Sequence, residues 1–186
     1  MVHSMSDKPT TKELIIDAAE TVVARDGAGR LTIDAVAAQS GISKGGVLYH
    51  YPNKLALLHG MVERMIDSVR DDVATAGANA EAAGEPVLPH IVDALFCRVH
   101  TNDQVANALL AASAEHPDLL ETACDAVADE FRRMTDNTPD PVLAQIIILA
   151  VDGLKLSELL GLNHLHEDQF HLIRTRLIAM SREMYT

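Results

Sequence analysis

The sequence predicts an all-α protein of about nine helices. Alanine and leucine are abundant, and aromatic residues make up only 3% of the 186 residues. Apolar residues recur at helical spacing, and no sustained alternation of β-branched residues, the pattern of a half-buried strand, is present. These observations favour a three-helix domain at the N-terminus followed by a larger helical domain.

The N-terminal third contains the signals of three helices and the start of a fourth. Thr10 and Glu13 have capping-box spacing, and Thr32 and Ser43 are residue types that cap helices. Gly41 suits the turn between the second and third helices. We therefore predict helices at residues 10–26, 32–39 and 43–51, and a long fourth helix that begins at residue 53.

Downstream, residues 74–84 are rich in alanine and glycine and end shortly before Pro86, which predicts a flexible break. The remaining apolar periodicity predicts helices at residues 87–100, 104–115, 117–136, 141–162 and 167–185. We divide the chain into a first domain of residues 10–56 and a second of residues 57–186.

Charge is distributed unevenly along the chain. The formal net charge is -12, yet the first 60 residues contain six Lys or Arg and six Asp or Glu residues. The whole excess of acid therefore lies downstream. Because neutralising phosphate needs Lys and Arg, only the neutral N-terminal third is suited to contact nucleic acid.

The compartment and cofactor predictions follow from what the sequence lacks. Cys97 and Cys124 have no CxxC spacing, so we expect neither a disulfide framework nor a zinc site, as in a reducing cytoplasm. The N-terminus has no signal-peptide pattern, and the longest strongly apolar run, Ile146–Val151, is too short to span a bilayer. We expect a soluble cytoplasmic protein with no cofactor and no membrane association.

Residues 32–51 match the essentials of a helix-turn-helix, in which two short helices joined by a tight turn place the second in the major groove. Ala37 stands four residues before Gly41, where two helices touch. The remaining apolar residues are predicted to form a miniature core: Val36, Ile42, Val47 and Leu48. An ordinary helical hairpin has the same spacing, so both interpretations stay open at this point.

The residues around the third helix favour DNA binding. A hydroxyl cap, a cation and two residues without bulk, Ser43–Gly46, let the start of this helix approach DNA closely. Tyr49 and His50 point outward if Val47 and Leu48 point inward, and both rings can reach phosphates or base edges. The predicted DNA-binding residues are Thr32, Ser43, Lys44, Gly45, Gly46, Tyr49, His50 and Lys54.

The segments Leu31–Ala37 and Gly41–Lys54 closely resemble the DNA-binding segment of the TetR family of repressors. The resemblance covers residues 10 to about 60 and implies a repressor that binds double-stranded operator DNA. It supports DNA contacts by Thr32 and Lys44 and by residues 49, 50 and 54. Leu48 departs from the pattern, because many family members have a tyrosine there.

The same resemblance implies that the last two helices pair with those of a second copy in a four-helix bundle. Small and aliphatic residues on helical faces agree with this expectation, although a buried helix of one chain looks similar. A homodimer places two recognition helices about 34 Å apart to read a palindrome. The predicted interface residues are Leu149, Gly153, Leu160, Phe170, Ile173 and Leu177.

The resemblance further implies a pocket in the second domain whose small-molecule ligand weakens DNA binding. Flexible thioethers and rings suit an adaptable apolar cavity, and each of these residues also suits an ordinary core. The predicted lining residues are Met61, Met65, Phe96, Leu110 and Phe131. The acidic second domain favours a neutral or cationic ligand.

Metal and enzyme functions have weaker support. Four candidate ligands lie within eight positions: His164, His166, Glu167 and His171. The first two fall at a helix junction and nothing fixes a third ligand beside them, so we predict no metal site. No nucleophile elbow, HExxH motif or phosphate loop is present, which predicts no catalytic residue. The main alternative to a repressor is a helical small-molecule-binding or interaction protein with a vestigial DNA-binding motif.

Overall fold

The computed structural model describes residues 8–99, 104–162 and 165–186. Within these ranges the chain forms nine α-helices and no strand, which confirms the all-α prediction. The helices are α1 Thr11–Asp26, α2 Ile33–Ser40, α3 Lys44–His50, α4 Lys54–Ala83, α5 Val87–Cys97, α6 Gln104–Ser113, α7 Asp118–Thr135, α8 Pro141–Leu159 and α9 Glu167–Glu183.

The chain divides into two compact units. Unit 1 comprises the chain up to Glu63 together with Gln104–Leu119, and unit 2 comprises Arg64–Asp103 and Leu120–Thr186. Unit 1 therefore extends beyond residue 56 and includes α6, which our two-domain prediction assigned to the second domain. The division at residue 56 stays a prediction.

Unit 1 is built around α1, which packs against α2 and α6. The predicted capping box begins α1: the Glu13 amide donates to Thr10 Oγ1 over 3.3 Å, and the Thr10 amide donates to Glu13 Oε2 over 2.6 Å. The apolar side chains of α1 are buried, as the helical spacing predicts. Fully buried residues of this unit are Ile15, Ala19, Leu31, Val36, Val47, Leu57, Leu58 and Met61.

Unit 2 has its own hydrophobic core, contributed by α4, α5, α8 and α9. Phe96 and Phe170 pack edge to face with ring centroids 5.4 Å apart, a favourable aromatic geometry. At the edge of this core, Arg174 on α9 donates through Nε and Nη2 to Asp93 Oδ1 on α5, at 2.9 and 2.6 Å. The core and this ion pair fix α9 against α5.

The predicted flexible break at residues 74–84 is wrong, because α4 continues without interruption to Ala83. Alanine is the strongest helix former, and the abundance of alanine outweighs one interior glycine. Val73, Ala76 and Ala80 are buried, so this half of α4 has a packed face. The helix ends where Gly84 adopts a left-handed φ of 67°.

No helix in the described part of the chain is both long enough and apolar enough to cross a membrane.

Candidate nucleic-acid interface

The turn between α2 and α3 is closed by local hydrogen bonds. Gly41 has a φ of 71°, a left-handed conformation that glycine adopts at little cost, and its amide donates to the Ala37 carbonyl over 3.1 Å. The Ile42 amide donates to Ser40 Oγ over 3.2 Å. These bonds set the direction of the chain as it enters α3.

Each helix of this pair begins at a hydroxyl cap, as the sequence predicts. Thr32 Oγ1 accepts from the Ala35 amide and Ser43 Oγ accepts from the Gly46 amide, both over 3.1 Å. Each cap satisfies an otherwise unpaired backbone donor. Because each hydroxyl acts here as an acceptor, it retains a proton that it can donate to a phosphate oxygen.

The miniature core is smaller than predicted. Val36 and Val47 are fully buried and hold α3 on α2, whereas Ile42 is half-buried. Leu48 is 38% exposed, so placing it in this core was wrong. Two consecutive helical residues differ by about 100° in direction, and Val47 occupies the buried side. Leu48 is therefore part of the outer side of α3.

Five of the predicted DNA-binding residues are exposed on the outer side of the helix-turn-helix, and we call them the exposed face: Thr32, Ser43, Lys44, Gly45 and Tyr49. Tyr49 is 84% exposed, and its ring contacts that of His50 edge-on at 5.0 Å between centroids. His50, Gly46 and Lys54 are half-buried. The structure thus leaves most of the predicted DNA-binding residues accessible.

An ion pair that the sequence analysis did not identify joins the two helices. Lys44 Nζ lies 2.9 Å from Asp34 Oδ1 and 3.1 Å from Oδ2. Asp34 is in the first turn of α2, and both side chains are more than half exposed. Asp34 is the only Asp or Glu between residues 27 and 62, but the sequence alone does not indicate Lys44 as its partner.

Two glycines have packing roles that the sequence analysis also missed. A Cβ on Gly46 would lie 2.8 Å from Ile42 Cγ2, and a Cβ on Gly60 would lie 2.8 Å from both Ile16 Cδ1 and Tyr51 Cε1. Carbon atoms in contact normally lie about 3.5–4.0 Å apart. Gly60 therefore lets α4 pack closely against α1 and against Tyr51, the C-cap residue of α3.

The first turns of α4 are held by polar contacts within unit 1. Asn53 Oδ1 caps the helix by accepting from the Ala56 amide over 2.8 Å. One turn later, His59 Nε2 lies 2.9 Å from Asp118 Oδ2. The hydrogen bond with His59 lowers the pKa of Asp118 below the ordinary carboxyl value. These contacts fix the helix that carries Lys54.

The residues predicted to line a ligand pocket fall in different units. Met61 and Leu110 belong to unit 1, where Met61 is fully buried. Met65, Phe96 and Phe131 belong to unit 2, where Phe96 is buried and the other two are half-buried.

The predicted dimer residues divide into exposed and buried sets. Leu149 and Gly153 are exposed on α8, Leu160 is exposed directly after it, and Ile173 on α9 is half-buried. Phe170 and Leu177 are buried in the core of unit 2, which leaves little of either side chain accessible to a second copy. The sequence pattern is the same for a helix buried by its own chain and for one buried by a partner, so the predicted interface stays a prediction.

Two open grooves occur in unit 2 along α5 and α9, with volumes of about 400 and 580 Å³. The smaller is lined by Pro89, His90, Asp93, His171, Arg174, Thr175, Ile178, Ala179 and Arg182, and the larger by Phe96, Cys97, Glu167, Asp168, Phe170, His171, Leu172 and Arg174. Among the residues described, no three His, Cys, Asp or Glu side chains are grouped to hold a metal ion. His164 lies outside the described residues.

The fold and this site define a class: an all-helical protein whose N-terminal region presents a helix-turn-helix with an exposed second helix. Residues 15–61 match the family model for bacterial regulatory proteins of the tetR family, and residues 85–182 match the model for a tetracyclin repressor-like C-terminal domain. The chain belongs to the tetR family of bacterial transcriptional regulators, which confirms the resemblance of residues 31–54.

Curated relatives agree with this assignment. The chain is 26% identical over 123 residues, 65% of its length, to the HTH-type transcriptional regulator SrpR of Pseudomonas putida. That alignment covers 55% of SrpR, so this chain matches about half the length of that relative. It is equally similar to the uncharacterized HTH-type transcriptional regulator TtgW of Pseudomonas putida, of which 88% is covered.

Solved structures show the same fold. A tetR-family member from Streptomyces coelicolor A3, SCO1917, has a TM-score of 0.70 and 22% identity over 91% of this chain and 98% of that one. The multidrug binding protein EbrR complexed with imidazole has a TM-score of 0.67 and 22% identity over 91% of this chain and 96% of that one. EbrR complexed with malachite green matches similarly, with a TM-score of 0.68.

Proposed function

We propose that this chain is a ligand-responsive repressor, a cytoplasmic homodimer that binds a palindromic operator through α3 and leaves it when a small molecule binds. The exposed face of the helix-turn-helix is the observation that carries the proposal. Both helices are capped and packed by apolar residues, so neither Tyr49 nor Lys44 is needed to hold them together. Large exposed side chains on a rigid short helix are suited to recognise a major groove.

The residues of the exposed face have complementary roles in this proposal. Thr32 and Ser43 donate their hydroxyl protons to phosphate oxygens, and Lys54 contacts a further phosphate from the start of α4. Gly45 has no side chain, and nothing lies within 4 Å of the position that its Cβ would occupy. A DNA backbone can therefore approach the start of α3 closely. Tyr49 and Lys44 reach base edges or adjacent phosphates.

The exposed apolar stripe of α8 supports the homodimer. Ile146, Leu149 and Leu160 are each at least half exposed, and Gly153 lies among them at helical spacing. Leu172 on α9 is 67% exposed. Apolar residues repeated along one helix face are characteristic of a surface that another helix covers. We propose this stripe, with Leu172 in place of Phe170 and Leu177, as the dimer contact.

The ligand is proposed to be a lipophilic, neutral or cationic molecule bound in unit 2. EbrR, a fold relative, is a multidrug binding protein solved with malachite green. The excess of acid in this chain lies after residue 60, which favours a cation electrostatically. Met65, Phe96 and Phe131 remain candidate lining residues in unit 2. Because α4 contributes residues to both units, we propose it as the helix that transmits binding.

The DNA proposal is tested by fluorescence anisotropy with duplexes from upstream of the chain's own gene, titrated at two salt concentrations. The wild type should bind one palindromic duplex well above a random duplex. Tyr49→Ala should weaken that binding by about 30-fold or more, because a good groove contact is worth about 1–3 kcal/mol and one is lost in each protomer. Tyr185→Ala, the same substitution in unit 2, is the matched control.

Equal binding of random and upstream duplexes, or no effect of Tyr49→Ala, would favour a small-molecule-binding protein with a vestigial motif. The ligand proposal is tested separately with malachite green. We expect malachite green to raise the melting temperature and to release the bound duplex. Stabilisation without release would contradict the regulatory link.

A further inference from the structure

The helix-turn-helix carries one carboxylate, and it lies against the cation best placed to contact DNA. Residues 27–62 contain Arg30, Lys44 and Lys54 as bases and Asp34 as the one acid. Both oxygens of Asp34 lie within 3.1 Å of Lys44 Nζ. Asp34 therefore places the one negative side chain of this segment directly beside Lys44.

Although Asp34 also suits the positive end of the α2 dipole, the ion pair itself adds little to stability. Its side chains are 71% and 58% exposed, and ion pairs between exposed groups contribute little to folding. The turn is already closed by Gly41, and both helices are already capped. The carboxylate is also unfavourable for general DNA affinity, since phosphates repel it.

The ion pair restricts the contacts that the Lys44 ammonium can make with DNA. Lysine has a flexible side chain that can follow phosphates at any sequence, and phosphate contacts supply the sequence-independent part of affinity. Held by Asp34, the ammonium of Lys44 is withheld from such contacts unless the DNA offers a stronger acceptor. A guanine edge offers two acceptors in the major groove.

We propose that Asp34 is a specificity-determining residue, which holds Lys44 and thereby lowers affinity for random DNA more than affinity for the operator. This inference rests on the proposed DNA-binding function. Asp34 acts through Lys44 and is a positioning residue, so its effect should depend on the presence of that lysine.

The test compares wild type, Asp34→Asn, Lys44→Gln and the double variant. The operator is first recovered by selecting duplexes from a random pool with the wild-type protein. Affinities for that operator and for a random duplex of equal length are then measured across a salt series. Asp26→Asn is the matched control, because Asp26 is also paired with an exposed cation, Arg25, but lies at the end of α1.

Asp34→Asn should bind random DNA roughly tenfold more tightly, with a log–log salt slope steeper by about 0.9 for each Lys44 that gains a phosphate. Operator affinity should change less, so the selectivity ratio falls. In the Lys44→Gln background most of this effect should disappear. Asp26→Asn should leave the ratio unchanged.

Equal tightening on both duplexes, the same effect from Asp26→Asn, or an undiminished effect without Lys44 would overturn the inference and leave the proposed function intact. If the selection enriches no sequence, the proposed function fails, and the inference fails with it.

Discussion

Replacing Gly60 by alanine should destabilise the protein although alanine is the better helix former. The new Cβ would lie 2.8 Å from Ile16 Cδ1 and Tyr51 Cε1, about 0.7 Å inside normal contact. Overpacking of this kind lowers the free energy of unfolding by about 1–3 kcal/mol. Exchanging an interior glycine for alanine raises it by about 1 kcal/mol. The expected net loss is about 1 kcal/mol.

Gly77 provides the control in the same helix. A Cβ there would meet only Val87 Cγ1 at 3.7 Å, an ordinary contact, so Gly77→Ala should gain about 0.5–1 kcal/mol. The two variants should therefore melt about 4–8 °C apart, measured by circular dichroism at equal protein concentration. Gly60→Ala melting at or above the wild type would refute this packing argument. A loss of operator affinity in Gly60→Ala should accompany the shift, since Tyr51 ends α3.

Three further predictions test unit 2, unit 1 and the proposed homodimer. Phe96→Ala should cost about 3–5 kcal/mol in urea unfolding, because the ring is buried against Phe170; a loss below about 1 kcal/mol would contradict that packing. His59 lowers the pKa of Asp118, so the carboxylate stabilises the fold at neutral pH and this contribution disappears as pH falls through the lowered pKa. The difference in urea midpoint between wild type and Asp118→Asn should accordingly vanish in acid, and a constant difference would exclude this origin. Leu149→Glu should weaken dimerisation by more than about 100-fold in analytical ultracentrifugation, since two symmetric leucines each lose about 1.5–3 kcal/mol of burial; an unchanged dimer would place the interface elsewhere.

Local signals account for the parts of the fold that the sequence predicts well. The hydroxyl caps at Thr10, Thr32 and Ser43 act on backbone amides three residues away, so their spacing can be recognised without tertiary information. Gly41 is similar, because a left-handed turn residue is a local requirement. The helix-turn-helix is therefore visible in the sequence.

The predictions that fail concern features that tertiary contacts determine. Residues 74–84 were predicted as a break from their composition, yet Ala76 and Ala80 are buried and the helix continues. Leu48 was predicted in the core of the helix-turn-helix from its hydrophobicity, but it is 38% exposed. The pairing of Asp34 with Lys44 joins residues ten positions apart, and neither residue alone indicates it.

Packing within the protein accounts for one of the two adjacent glycines of α3 and not for the other. A Cβ on Gly46 would lie 2.8 Å from Ile42 Cγ2 and 3.3 Å from Ser43 Oγ, so packing disfavours a side chain there. At Gly45 nothing lies within 4 Å of the corresponding Cβ, and its backbone has no positive φ. Alanine there would favour the helix, which leaves the fold without a reason for this glycine. The close approach of a DNA backbone that we propose would supply one, because the space beside the exposed Gly45 is open.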